Sequence, residues 1–171
     1  MIKAWPAIAA TAMVLSGCST VTSVFDTGAP NPAGHTVYLA AAAASDLFEI
    51  ESAQVALAKS PRADVRAFAE TILREHTLSS VALADATRRG GFVPAAGILD
   101  SGQQVMLNQL QNAGPATVDG LFLSQQVGAH DRAYALHRNY GLSGDSPELR
   151  EFATMVAPIV REHLAAAQRL D

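Results

Sequence analysis

The chain of 171 residues is 49% hydrophobic and 16% charged, which suffices for one compact domain and excludes a disordered tail protein. Its formal net charge of -4 gives no electrostatic reason to expect nucleic acid as a partner. Aromatic residues make up only 6%, while alanine is abundant, and this composition favours helices over sheets. A single cysteine excludes both an intrachain disulfide and a zinc site built from cysteines.

The first residues are typical of an export signal. Lys3 precedes an apolar stretch that is shorter than the roughly 20 residues a membrane span requires. The stretch ends in Leu-Ser-Gly-Cys, which resembles the lipobox of bacterial lipoproteins, where the chain is cut before an acylated cysteine. We therefore predict a lipoprotein signal peptide over residues 1–17 and a lipid anchor on Cys18. The alternative is an ordinary secretory signal that happens to precede a cysteine.

A flexible tether is predicted between this anchor and the domain. Residues 18–35 are rich in Ser, Thr, Gly and Pro and show no apolar period, so His35 is assigned to the tether and the domain to residues 36–171. Ser19, rather than Asp, follows the cysteine. In lipoproteins of Gram-negative bacteria this implies sorting to the outer membrane, with the domain facing the periplasm.

The domain has the apolar spacing of four long amphipathic helices and a short one. Ser followed by Pro is a strong helix start signal at 60–61 and again at 146–147. Short loops join the first helix to the second and the third to the fourth, so we predict an all-α four-helix bundle of two hairpins with a long connection, as in ferritin-like bundles. The predicted helices span about 36–59, 60–89, 103–111, 116–140 and 146–170.

The two hairpins repeat a sequence pattern. Ser-Pro, Phe-Ala and Arg-Glu-His follow one another in the second helix and again in the last, ending at His76 and His163. This repeat indicates two related hairpins, although a chance likeness between helical sequences is the alternative.

One polar residue on each long helix is predicted to face the core at about the same height: Glu51, His76, His130 and His163. Glu51 and Gln54 lie within the predicted apolar stripe of the first helix, and Glu49 lies on its opposite face. The stripe consists of Leu47, Ile50, Val55, Leu57 and Ala58. Three imidazoles and a carboxylate suit one ion of zinc, copper, iron or nickel. The alternatives are a metal-free network of hydrogen-bonded core side chains, or a rotated helix that exposes one of the four.

Two further features concern the surroundings of the predicted histidines. His137 and Gln126 share the inward face of the third long helix with His130, so His137 could also serve as an axial ligand to haem. Pro158 removes an amide donor from the last helix and should bend it, either as a surface kink or as a bend that aims His163. The Glu-x-x-His spacing of di-iron bundles is absent from both Arg-Glu-His helices, so a ferroxidase centre is not expected.

These motifs resemble a bacterial domain-of-unknown-function family numbered 4142 over about residues 36–170. The resemblance implies a ferritin-like helical fold and an outer-membrane or periplasmic location, and no particular reaction. Glu75 stands where the family commonly has Asp. The motifs that carry the resemblance are Asp46-Leu47-Phe48-Glu49-Ile50-Glu51, Val65-Arg66-Ala67-Phe68-Ala69 with Glu75-His76, Val118-Asp119, His130, and Ala157-Pro158 with Glu162-His163.

The sequence contains no complete catalytic constellation, so no catalytic residue is assigned and an enzyme is not favoured. We predict an envelope lipoprotein whose bundle binds a transition metal for sequestration or stress protection. The alternative is a non-catalytic module that contacts another protein, a lipid surface or cell-wall material.

Overall fold

The computed structural model describes residues 34–171, so the predicted signal peptide, Cys18 and most of the tether lie outside the described residues. The all-helical bundle is confirmed, including the short helix in the long connection. None of the described helices is both long and apolar enough to cross a membrane. The helices are α1 His35–Lys59, α2 Ala63–Arg89, α3 Ser101–Asn112, α4 Val118–Ser143 and α5 Pro147–Leu170.

Contacts at the helix ends fix the directions of the four long helices. The Ser60 hydroxyl, just before α2, donates to Asp119 Oδ1 at the start of α4 over 2.5 Å, so α2 and α4 run parallel. Arg62 Nη2 donates to the carbonyl of Leu170 at the end of α5, so α5 runs antiparallel to both. Around the bundle, α1 and α5 each pack against α2 and α4. The connection over 90–117 returns along the bundle, and α3 packs on α1 and α4.

Of the two predicted Ser-Pro starts, one is confirmed and one is wrong. Ser146 caps α5 by accepting a hydrogen bond from the Leu149 amide, and Pro147 is the first helical residue. Ser60 does not cap α2, which begins at Ala63. Its hydroxyl bonds instead to Asp119 and to the amide of Arg62, which closes the turn between α1 and α2.

The predicted rotation of α1 is also wrong. Leu47 and Ile50, placed in the core by their hydrophobicity, are half-buried beneath the segment that follows α2, where they share a depression with Pro94. After Tyr38 and Leu39, the face of α1 that enters the core carries small and polar residues instead. This face consists of Ala42, Asp46, Glu49, Ser52, Ala53 and Ala56.

Two apolar clusters fill the core, one towards each end. The cluster near the start of α1 includes Tyr38, Tyr140 and Phe152, and the cluster near its end includes Phe68 and Phe122. The predicted histidines fall between them in sequence on each helix. On α2, for example, His76 lies between Ile72 of one cluster and Leu83 of the other. A polar layer therefore separates two apolar halves.

His35 belongs to the bundle and not to the tether. It is the first residue of α1, its ring stacks on Phe92 with centroids 4.0 Å apart, and its Nδ1 donates to Asp145 Oδ2 over 2.8 Å. Asp145 Oδ1 accepts a second hydrogen bond from the Tyr140 hydroxyl. Burial alone would raise the pKa of Asp145. The hydrogen bonds from Tyr140 and His35 have the larger effect and lower the pKa to about 2.

We predict that Asp145→Asn destabilises the domain at pH 7 by a few degrees in melting temperature. Because the folded-state pKa of Asp145 is depressed, its stabilising effect is present above about pH 4 and disappears as the pH falls to about 2. Thermal unfolding between pH 7 and pH 2 should show the difference from the unaltered protein shrinking to nothing. Asp131→Asn, at an exposed carboxylate of α4, is the control. An equal difference at pH 7 and pH 2 would contradict the prediction.

Candidate metal centre

Three histidines from three helices meet at the middle of the bundle, as their spacing predicts. His76 of α2, His130 of α4 and His163 of α5 are all buried. Their ring centroids lie 5.3 to 5.5 Å apart. One nitrogen of each ring lies within 4.8 Å of the corresponding nitrogens of the other two, close enough for the three to hold one ion.

Each ring is held by a hydrogen bond from one nitrogen to an oxygen that can only accept. A carboxylate or carbonyl acceptor requires that this ring nitrogen carry the proton, and the other nitrogen of a neutral imidazole then has a free lone pair. These bonds join His76 Nδ1 to Asp46 Oδ1 at 2.9 Å, His130 Nδ1 to the Gln126 carbonyl at 2.9 Å, and His163 Nε2 to Glu75 Oε2 at 2.8 Å.

The three remaining nitrogens have no hydrogen-bond partner among the described residues, although all three are buried. They are His76 Nε2, His130 Nε2 and His163 Nδ1. The metal-free polar network that the sequence also predicts is present at one nitrogen of each ring, in the bonds to Asp46, the Gln126 carbonyl and Glu75. It leaves the other three nitrogens without a partner among the described residues. A cation can accept all three lone pairs, and buried polar atoms are otherwise nearly always partnered.

Two of the three rings are in the neutral form that metal binding requires. Burial lowers the pKa of His130 to about 3, and burial also lowers the pKa of His163, so both imidazoles are neutral at pH 7. Burial lowers the pKa of His76 as well, but its hydrogen bond to Asp46 and the charge of Glu49 raise it above the usual value. His76 is therefore the most basic of the three, and it must be neutral to bind a metal.

The glutamate of α1 that lies beside the histidines is Glu49, and the prediction of Glu51 is wrong. Glu49 is 0% exposed, and its Oε1 lies 3.8 Å from His130 Nδ1. Neither oxygen has a hydrogen-bond partner within the part of the chain that the structure describes, and burial raises the pKa of Glu49 to about 7. Glu51 is half-buried and Gln54 is exposed, and both line a surface depression with Lys59. The rotation of α1 explains the exchange.

The remaining predicted residues lie around this centre or away from it. Gln126 is buried and, besides its carbonyl bond to His130, donates from Nε2 to the Ser52 hydroxyl over 3.1 Å. His137 is buried apart from the cluster. Its Nδ1 bonds to the Tyr38 hydroxyl over 2.9 Å, and its ring packs edge-on against Tyr38 and Phe152.

Pro158 lies inside α5 on its exposed side. Glu162, next to His163, is exposed. Glu75 of α2 reaches across to His163. Sequence reasoning missed Asp46 and Glu75 as the residues that hold the rings.

The fold and the site define an all-helical bundle with a trihistidine cluster at its centre. The chain belongs to the domain-of-unknown-function family DUF4142, whose model matches residues 24–170. The resemblance expected from the sequence is thus confirmed, over a somewhat longer stretch. No curated protein and no solved structure matches the chain significantly.

We predict that Glu49→Gln stabilises the metal-free protein at pH 8, raising its melting temperature by about 2 to 5 °C. The substitution keeps the shape of the side chain and removes a buried charge that has no hydrogen-bond partner among the described residues. Circular dichroism melts in excess chelator measure the change. Glu51→Gln, at a half-buried surface position two residues along the same helix, should leave the melting temperature unchanged. A loss of stability in Glu49→Gln would show that the carboxylate has a structural partner.

Proposed function

We propose that this domain binds one transition-metal ion through His76, His130 and His163, with Glu49 beside them as the carboxylate that offsets the charge of the ion. The observation that carries the proposal is the trihistidine cluster: one nitrogen of each ring lies within 4.8 Å of the others, and one nitrogen of each ring has no hydrogen-bond partner among the described residues. The two buried oxygens of Glu49 also lack such a partner, and burial raises its pKa to about 7. A dication would bind ring nitrogens and favour the ionised form of Glu49.

The surroundings of the rings support this proposal. Histidines that bind metals commonly donate their other N–H to a carboxylate or a backbone carbonyl, which fixes the ring and makes the free nitrogen more basic. Here Asp46 and Glu75 are the carboxylates, and the carbonyl of Gln126 is the third acceptor. The coordinating atoms are therefore oriented before any ion arrives, so little rotamer entropy is lost when it binds.

The donor set favours a single borderline ion. Imidazole nitrogens suit zinc, copper, iron and nickel, whereas calcium and magnesium prefer sites made of oxygen atoms. Leu73 and Val160 occupy the positions where a Glu-x-x-His motif would place its carboxylates, so the site lacks the ligands of a di-iron centre. Sequestration of the ion, or protection against metal stress, is the role we infer, because the ligands are buried and the sequence offers no catalytic constellation.

We expect the full-length protein, stripped of metal and purified in detergent, to bind about one equivalent of Zn²⁺, Cu²⁺, Ni²⁺ or Fe²⁺. Free ion at 100 times the dissociation constant stabilises the fold by about 2.7 kcal/mol, or a rise of roughly 5 to 10 °C in melting temperature. Isothermal titration and thermal melts measure the two effects.

The matched variants are His76→Ala, His130→Ala and His163→Ala, which should each lose the ion, and Glu51→Gln, which should keep it. Because the thiol of an unmodified Cys18 could itself bind metal, the titration is repeated on Cys18→Ser. A protein that binds none of these ions would reject the metal proposal. It would leave a non-catalytic interaction module of the envelope as the function.

We further propose that the bundle is anchored by lipid on Cys18 at the periplasmic face of the outer membrane. The support is the Leu-Ser-Gly-Cys sequence at residues 15–18, the length of the preceding apolar stretch, and Ser19 after the cysteine. An anchored domain would hold its ion at the membrane surface and keep it out of free solution.

Metabolic labelling with an alkyne fatty acid tests the anchor. The unaltered protein should take up the label, and Cys18→Ser should take up none, because the thiol is the acylated group. Ser19→Asp is the control: it should keep the label and move the protein to the inner-membrane fraction. Label retained by Cys18→Ser would contradict the lipid anchor.

A further inference from the structure

A groove between α2 and α5 leads to the trihistidine cluster from one side. The cavity has a volume of about 340 Å³, and His76 and His163 form part of its lining. Its apolar walls include Leu78, Met155 and Ile159, which are 62%, 53% and 40% exposed, so the groove is open to water. The third histidine, His130, does not line it.

Other sides of the cluster are covered. Phe48 of α1 packs with Leu107 of α3 and Ala129 of α4, which closes the face between α1 and α4. The segment after α2 lies over the face between α1 and α2, where Pro94 and Ile50 line a depression that none of the three histidines lines. The groove between α2 and α5 is left without such a cover in the described chain, because the long connection runs on the opposite side of the bundle.

The three hydrogen bonds that hold the rings differ in their access to solvent. The acceptor for His130 is a backbone carbonyl of α4, which is fixed by the helix. The acceptor for His76 is Asp46, whose side chain is only 7% exposed and which also accepts from the Ser80 hydroxyl. The acceptor for His163 is Glu75, which is 32% exposed and lines the groove. Of the three rings, His163 therefore has the hydrogen bond that water can most readily replace.

We propose that the metal ion enters and leaves through the groove between α2 and α5, with His163 as the ligand that releases first and Glu75 as its positioning residue. This inference rests on the proposed metal-binding function. When His163 turns into the groove, its bond to Glu75 is replaced by water, and the coordination position that it vacates faces the solvent side. His76 and His130 remain in place, because their acceptors are buried. Glu75 thus sets the residence time of the ion through the orientation of His163.

Blocking the groove tests the route. We expect Ala82→Trp, at a half-buried position that lines the groove, to slow the association and dissociation of Co²⁺ by the same factor of about ten. Because both rates fall by the same factor, the dissociation constant should hardly change. A damaged site would instead lose affinity. Stopped-flow absorbance on the full-length protein gives the association rate, and challenge with excess chelator gives the dissociation rate.

The matched control is Ala84→Trp, two residues along the same helix, which lines the depression between α1 and α2. It should leave both rates unchanged. Met155→Trp, at an exposed position on the α5 wall, replaces Ala82→Trp if that variant does not fold. Equal slowing in the groove variant and the control, or no slowing in either, would overturn the route.

Substitution of the positioning residue tests the order of release. Glu75→Ala should raise the Co²⁺ dissociation rate and weaken binding by about 10 to 100-fold. Glu75→Gln keeps an acceptor oxygen for His163 Nε2 and should recover most of the residence time, which a general loss of stability would not explain. Glu162→Ala removes the exposed carboxylate next to His163 and should have no effect.

The metal-binding function and the entry route are overturned by different results. If the unaltered protein binds no ion, both the metal-binding function and the route are overturned. If it binds one ion and Glu75→Ala releases it at the rate of the unaltered protein, the positioning role alone is overturned and the metal site stands.

Discussion

The structure depends on the requirement that a buried polar atom have a partner. Three histidines are packed between two apolar clusters, where unpaired donors or acceptors are unfavourable. Each ring meets half of this requirement through an acceptor on its outer side, which forces the proton onto that nitrogen. When the rings are neutral, the other nitrogen of each carries a lone pair without a partner among the described residues, and the buried Glu49 carboxyl group lies in the same layer. The excess of acceptors over donors at this level is the physical basis of the proposed cation site.

The helix topology makes this excess possible. Because α2 and α4 run parallel, counting from their starts places His76 and His130 at similar heights, and α5 returns between them to bring in His163. The long connection then covers α1 and leaves the α2–α5 side open. A single arrangement of the chain thus supplies the ligands, their outer acceptors and the groove.

The positions of the three histidines could be predicted from the sequence because α2, α4 and α5 bury large apolar residues in a regular helical stripe. Phe68, Ile72, Phe122 and Phe152 mark these faces clearly, and each histidine falls among them. For α1 the same reasoning selected the wrong face. Its large residues Leu47 and Ile50 pack under the segment after α2, a contact between distant parts of the chain that local periodicity cannot reveal. The sequence did mark the correct face, but only weakly, because alanines at 42, 53 and 56 share the helical spacing of Asp46 and Glu49 and are less hydrophobic than Leu47 and Ile50. The partners of the rings, Asp46 and Glu75, depend on side chains crossing between helices, which helix spacing alone does not specify.

The polar layer divides the core into two halves that share every long helix and little else. At the middle of the bundle the helices are joined by side-chain hydrogen bonds, from His76 to Asp46, from His163 to Glu75 and from Gln126 to Ser52. Cohesion at mid-length therefore depends on the directions of these bonds, whereas the two ends depend on apolar packing. An ion shared by α2, α4 and α5 would add a direct link between the three helices at that height.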